Sequence, residues 1–456
     1  MAPSSLVFTV QRQMPVLVTP AKPTPHEFKY LSDIDDQESL RFQIPLIHFY
    51  RNEPCMSGID PAKVIREALA RALVFYYPIA GRLREESGRK LVVECTGEGV
   101  LFIEADANAR LQDFGDNLQP PFPCMEELLF DVEGSAGVLN CPLLLIQVTR
   151  LLCGGFIFSL RLNHTMADGQ GLALFMNAVA EMARGATEPS VLPVWSRELL
   201  RARNPPRVTL EHREYDDDMP HDSHNTINTP PDVNVAHRSF YFGPREISAL
   251  RMRLPEHLRK NSTRFEILTA CLWRCRTMAL QLEPEEEVRV MCNVNARGKK
   301  EGDFLPMGYY GNAFAYPAAV SKVKSLCNEP MEYALELVKK AKSQGMTREY
   351  LQSVADLMVL RGRPHFTIAK SYLVSDLTRA GLENVDFGWG KAVYGSVAKG
   401  GIGDIPLVSF YIPFRNGIVV PVCLPSTAMD RFVKEIESMT SDLITAPPPS
   451  RPLSAP

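Results

Sequence analysis

Between positions 60 and 77 apolar side chains return every three or four residues, at Val64, Ile65, Ala68, Leu69, Ala72 and Leu73. That spacing predicts a helix with one apolar stripe. Asp60 caps it, Pro61 suits its first turn and Pro78 stops it. The period then shortens. Two runs rich in Val, Leu and Ile, 90–95 and 100–105, flank a Thr-Gly-Glu-Gly turn and predict a hairpin. A second hairpin is predicted for 144–152 and 156–163 around Cys153-Gly154-Gly155, with Phe156, Phe158, Leu160 and Leu162 alternating along its second strand. That strand runs directly into His164-Thr-Met-Ala-Asp168-Gly169, after which Leu172, Phe175, Met176, Val179, Ala180 and Ala183 recur at helical spacing. His164 therefore stands where a strand ends.

From 203 to 235 the periodicity collapses into Pro205-Pro206, Asp216-Asp217-Asp218, Pro220 and Pro230-Pro231. This predicts a crossover joining an N-terminal domain, 1–202, to a C-terminal domain, 236–445, with a disordered tail at 446–456. Patterning resumes near Ser239. Thr263-Arg-Phe-Glu266 has capping-box spacing and opens a helix through Leu268, Leu272 and Trp273, and 288–294 and 407–414 read as strands. Strands and helices alternate in both halves, so the expected class is α/β.

A chain of 456 residues that is 45% hydrophobic can bury a large core, which excludes a disordered protein. The net charge of -3 supplies no sustained positive field, which argues against nucleic acid or an anionic membrane as partner and for a small molecule. No stretch approaches the roughly 20 uncharged apolar residues of a spanning helix, and the N-terminus has neither a basic leader nor a long apolar core. The expected location is cytoplasmic. The ten cysteines include no CxxC pair, and Cys271 and Cys275 lie one helical turn apart in an apolar run, so they read as reduced and mostly buried.

A general base that works at neutral pH is best supplied by histidine. Two of the nine histidines begin a His-x-x-x-Asp pattern, His164 to Asp168 and His212 to Asp216. The first is held between a strand and a helix and the second lies in the polar crossover, so His164 is the candidate base. His212, with His221, His224 and the acidic run, reads as solvated linker rather than a surface metal site. Asp168, opening a helix, also fits an ordinary N-cap. The helix start at Thr263 offers free amides and a positive dipole end, with Arg259, Lys260 and Arg264 nearby to meet phosphate; the same residues would equally solvate a helix entrance.

The HxxxDG of His164 to Gly169 and the DFGWG of Asp386 to Gly390 resemble the two signatures of the plant BAHD acyltransferase family. Tyr77 to Leu83 (YPIAGRL), Asn295-Ala-Arg297 and Tyr309-Tyr-Gly-Asn312 are similar too, and the likeness spans essentially the whole chain. The runs TPAKPTPHEFKYLSDIDDQESLR, LPVWSRELLRARNPP and SVADLMVLRGRP look closest to the branch that makes benzoate and volatile esters from alcohols.

The resemblance implies two chloramphenicol-acetyltransferase-like domains, each a mixed sheet with flanking helices, and a channel between them open at both ends. It implies an acyl-CoA-dependent O-acyltransferase, acting as a monomer on a small alcohol, with acyl-CoA as co-substrate, no permanently bound cofactor and no metal. Benzoyl or a short acyl group would pass directly to the alcohol in a ternary complex, His164 acting as base. Asp168 would turn from the channel to pair with Arg297 as a structural ion pair. Asp386 is often credited with a functional role in this family, yet Gly388, Trp389 and Gly390 beside it read as a tight structural loop, as Gly169 does beside Asp168. Ser375 would offer a hydroxyl to the developing oxyanion where relatives carry Thr-Ser-Trp, Leu377 replacing the tryptophan. Ser262 and Thr263 match the family's contact position for CoA. Two other readings fit the same scaffold: an N-acyltransferase with an amine acceptor, and a non-catalytic acyl-CoA or metabolite-binding protein.

Overall fold

The stripe at 60–77 folds as the helix Pro61–Phe75, capped by the Asp60 carboxylate, which accepts from the Ala62 amide at 3.1 Å. Its buried face, including Ile65, Leu69 and Leu73, packs against the helix Gly169–Ala183. This computed structural model describes residues 8–115, 118–122, 124–216, 234–298, 304–401 and 406–441. The tail at 446–456 and the middle of the crossover, 217–233 with His221 and His224, lie outside the described residues.

Both halves are mixed sheets covered by helices. The first sheet runs in the order Val10–Arg12, Val100–Ala107, Leu144–Leu151, Phe156–Asn163, Gln43–Tyr50, Tyr394–Val397, with Val16–Val18 also on Val100–Ala107. Within it Val100–Ala107 and Leu144–Leu151 are parallel, whereas Phe156–Asn163 is antiparallel to both its neighbours. The second sheet runs Val235–Phe242, Gly417–Pro425, Val408–Phe414, Ser371–Asp376, Glu287–Cys292, Ala318–Lys322. Its three inner strands from Glu287, Ser371 and Val408 are parallel, and the helices Arg264–Leu280, Met331–Gly345 and Ser426–Thr440 belong to this half. Tyr394–Val397 crosses from the second half to pair with Gln43–Tyr50, so the later chain completes the first sheet.

The hairpin at 144–163 forms, turning at Gly154 with a φ of +81°. The one expected at 90–105 does not. Leu91–Glu94 pairs with Phe28–Tyr30 and Arg82–Glu85 in a separate small sheet, while Val100–Ala107 joins the large one. At Gly99, with a φ of +98°, a Cβ would lie 2.4 Å from the Val18 carbonyl oxygen, so the chain leaves one sheet and enters the other through a backbone contact only glycine permits. Two adjacent apolar runs carry the same alternation whether or not they pair with each other, which is why their pattern misleads.

His212 also departs from expectation. It is buried: Nδ1 meets Glu214 Oε1 at 3.0 Å, Nε2 meets Ser353 Oγ at 2.8 Å, and the ring lies edge-on to Tyr350. The described part of the crossover is bolted to the helix Arg348–Leu360 through such contacts and through Arg203 on Asp356, so polarity here marks a satisfied buried network rather than solvent. No cluster suited to a metal ion occurs among the described residues. All ten cysteines are free thiols; six are buried, and Cys55 is exposed. Among the described residues no helix is long and apolar enough to cross a membrane.

Candidate active site

The strand Phe156–Asn163 delivers His164 to its C-terminal end, and the His164 amide donates to the Phe42 carbonyl at 2.8 Å. The helix Gly169–Ala183 starts five residues later, so the loop is short and pinned at both ends. Its imidazole lies between the rings of Phe42 and Phe314.

One asparagine decides which nitrogen of the imidazole is basic. Asn312 Nδ2 donates to Asp35 Oδ1 at 2.9 Å and to the His164 carbonyl at 2.8 Å. Both donations require the amide to be oriented with Oδ1 toward His164 Nδ1, 3.1 Å away. Nδ1 therefore carries the hydrogen and Nε2 the free lone pair. Burial pushes the His164 pKa below its usual value, partly opposed by its own carbonyl, the Asp168 charge, Asn312 and Asp35, so the ring is neutral at neutral pH.

Asn312 is itself held. Asp35 Oδ1 also accepts from the Asn312 amide at 2.8 Å and from Arg197 Nη1 at 2.6 Å, and Asp35 Oδ2 accepts from Ser32 Oγ at 2.6 Å. Asp35, Arg197 and Asn312 are all buried, and the Arg197 guanidinium lies 4.5 Å over Trp195 and 5.0 Å over Tyr310. Replacing Asn312 with leucine removes the acceptor that fixes the tautomer. We expect kcat to fall by at least about tenfold, a net hydrogen bond's worth of about 1.4 kcal/mol. Asn312→Asp, which keeps an acceptor there, should raise the pKa of the acid limb of kcat/KM. Unchanged turnover and pH profile in both variants would refute this role.

His164 opens into a cavity of about 730 Å³ built from both halves, with Phe42, Leu46 and Leu172 from the first and Phe314, Leu377 and Phe410 from the second. Ser375 lines it as well, and Asn293 Nδ2 reaches Ser375 Oγ at 3.4 Å. Asp168 borders the cavity but its oxygens are committed elsewhere. Oδ1 caps the helix through the Gly171 amide at 2.9 Å, and Oδ2 accepts from Arg297 Nη1 at 2.6 Å and from the Ala313 amide at 3.0 Å. Arg297 continues to the carbonyls of Tyr309 and Gly311, so one carboxylate ties the His164 loop to 309–313. The helix approaches that segment so closely that a Cβ at Gly171 would lie 2.0 Å from the Tyr310 carbonyl oxygen. Gly169 lies against Leu377 across the halves.

Asp386 is not among the cavity-lining residues. Its carboxylate accepts from the Gly388 amide at 2.8 Å and its carbonyl from Arg184. Phe387 packs on Tyr50 and Phe158, Trp389 packs on Phe156, and Gly388 and Gly390 both have positive φ, so the motif is a turn seated on the first sheet. Just beyond it, the chain enters Tyr394–Val397, the strand the second half contributes.

The five residues considered for CoA lie together at the start of the helix Arg264–Leu280 and outside the His164 cavity. Arg259 is occupied with the carbonyls of Leu254 and Met252, and Lys260 pairs with Glu256 at 2.7 Å. Thr263 and Glu266 form a reciprocal capping box that fills the helix start and places a carboxylate there. Arg264 is exposed, and the buried Ser262 hydroxyl has no partner. Asp35 and Arg197 lie within two of the family-like runs and Asn312 ends the Tyr309 to Asn312 motif, yet no local spacing assigns any of the three a part at His164.

A neutral imidazole with a preset tautomer faces a largely apolar cavity shared by two mixed sheets. The chain belongs to the BAHD acyltransferases: residues 8–439 match the model of the Transferase family. The benzyl alcohol O-benzoyltransferases of Petunia hybrida and Nicotiana tabacum are each 65% identical to it over 442 residues, covering 96% of this chain and 95% of theirs. Alcohol acyl transferase 1 (allele GSd) of Malus domestica is 57% identical, with the same coverage of each chain. Among solved structures, vinorine synthase superposes with a TM-score of 0.72 at 23% identity, covering 94% of this chain and 98% of its own. TRI101 of F. sporotrichioides, in complex with coenzyme A and T-2, gives 0.71 at 16% identity, covering 90% of this chain and 97% of its own. The fold is the chloramphenicol-acetyltransferase-like arrangement.

Proposed function

We propose that the protein transfers a benzoyl or short-chain acyl group from CoA to a small alcohol such as benzyl alcohol. It is an acyl-CoA-dependent O-acyltransferase. The observation that carries the mechanism is the Asn312 contact, because it leaves His164 Nε2 as the lone pair facing the cavity. Nε2 takes the hydroxyl proton as the alcohol oxygen attacks the thioester carbonyl. The tetrahedral intermediate collapses with cleavage of the C–S bond, and the imidazolium returns the proton to the departing sulfur. No covalent enzyme intermediate is needed. Ser375 Oγ is the donor for the oxyanion, and Asn293, bonded to it, holds the hydroxyl in place.

The predominantly apolar cavity supports small aromatic or aliphatic reactants, since it supplies few partners for a polyhydroxylated acceptor. Ser262 remains the candidate for CoA contact, its buried hydroxyl being unpartnered. A matrix of benzoyl-, acetyl- and hexanoyl-CoA against benzyl alcohol, hexanol and benzylamine, read by mass detection of product, tests the assignment. Ester formation with benzyl alcohol is expected to exceed amide formation. Preferential amide formation, or binding of acyl-CoA with no product, would overturn it in favour of an amine acceptor or a binding protein respectively.

A further inference from the structure

A second cavity, of about 930 Å³, lies between the C-terminal part of the helix Arg264–Leu280 and the starts of the strands Glu287–Cys292 and Ser371–Asp376. Side chains alternate across a strand, so Tyr372 faces this cavity while Leu373 and Ser375 face the one at His164. It is also remote from the helix start at Thr263, since ten residues of helix separate Thr263 from Trp273, or about 15 Å.

One cation in its wall has no anionic partner. Half-buried Arg276 donates through Nη1 to the Cys423 carbonyl at 3.3 Å and lies 5.2 Å over the Tyr372 ring, and among the described residues no carboxylate pairs with it. Burial lowers its pKa, whereas carboxylates raise those of Arg150 and Arg197. The neighbouring cations are already balanced: Lys370 pairs with Glu286 at 2.6 Å and Arg289 with Asp216 at 3.2 Å. One positive charge therefore stands uncompensated in a wall otherwise formed by groups such as Leu280, Leu282, Ile368 and Leu407.

We propose that this cavity binds a small monoanionic carboxylate with an apolar body, held by the Arg276 guanidinium. A planar carboxylate matches one guanidinium edge. A phosphate group would bring additional charged oxygens for which the wall holds no partners. The apolar body would lie among the leucines and isoleucine.

Isothermal titration of the full chain with sodium benzoate and sodium hexanoate, aromatic and aliphatic probes of one chemistry, tests the site. At least one should bind the wild type, at least about tenfold more tightly than its neutral amide. Arg276→Gln should weaken that binding by at least about tenfold, Arg276→Lys by less, with transferase kcat/KM unchanged in both because neither touches the His164 cavity. The comparison of each carboxylate with its neutral amide on the wild type decides the matter if the arginine variants fold poorly, because the two ligands differ chiefly in charge. The proposal is overturned if neither carboxylate binds the wild type. It is equally overturned if affinity is indifferent to the charge of the ligand, or unchanged in Arg276→Gln.

Discussion

His164→Ala is expected to lower kcat by about 100- to 10,000-fold while leaving acyl-CoA affinity close to that of the wild type. The ring's only described hydrogen-bond partner through a side chain is Asn312, and Asn312 keeps its bonds to Asp35 and to the residue 164 carbonyl when the imidazole is removed. The loop should therefore retain its shape, so that lost turnover reports lost proton transfer. The pH profile of the wild type gives an independent reading. The active form is the neutral ring, and burial depresses its pKa below 6.5. As pH falls, kcat/KM should hold its plateau past 6.5 and decline only lower, in a limb of unit slope that is absent from the residual activity of His164→Ala. Steady-state kinetics and CoA titration measure both. Turnover in the variant within about tenfold of wild type would mean that another group or water serves as base.

How much of this was legible beforehand depends on how far each contact reaches along the chain. The position of His164 at a strand end followed from the alternation at 156–163 and the helical spacing after Gly169, both local signals, and the structure has that strand and that helix. The Thr263 cap was equally local and is present. What escaped was non-local. His164 meets Asn312 from 148 residues away and Asn312 meets Asp35 from 277 away, distances over which periodicity says nothing. The failed hairpin at 90–105 has the same origin, since pairing partners for Val100–Ala107 come from the chain's first residues and from Leu144–Leu151. Polarity misled at His212 because a buried histidine satisfied by Glu214 and Ser353 has the same letters as a solvated one. Family likeness supplied what spacing could not, including the pairing of Asp168 with Arg297. The cap that Asp168 places on its helix was a local signal, legible from its position before Gly169, and is present.

That double duty makes Asp168 the strongest expected lesion of the framework. Asp168→Ala removes one carboxylate from three donors at once, the Gly171 amide, the Ala313 amide and Arg297. The ion pair is little screened by solvent, with side-chain exposures of 13% for Arg297 and 10% for Asp168, so the cost of stranding the guanidinium should approach the about 3–5 kcal/mol typical of a broken buried pair. Arg297→Ala strands the carboxylate but leaves the helix cap, and should cost less. Asp168→Asn retains a capping oxygen and loses the charge, separating the two roles. Urea unfolding of the three single variants and of Asp168→Ala/Arg297→Ala closes a double-mutant cycle, in which the double variant should be more stable than the sum of the single losses predicts. Because the carboxylate's oxygens face the helix and the 309–313 segment, turnover should fall in step with stability. A variant at Asp168 that unfolds within about 1 kcal/mol of the wild type, as for an exposed pair, yet has lost turnover would instead make this carboxylate a participant in the proton transfer.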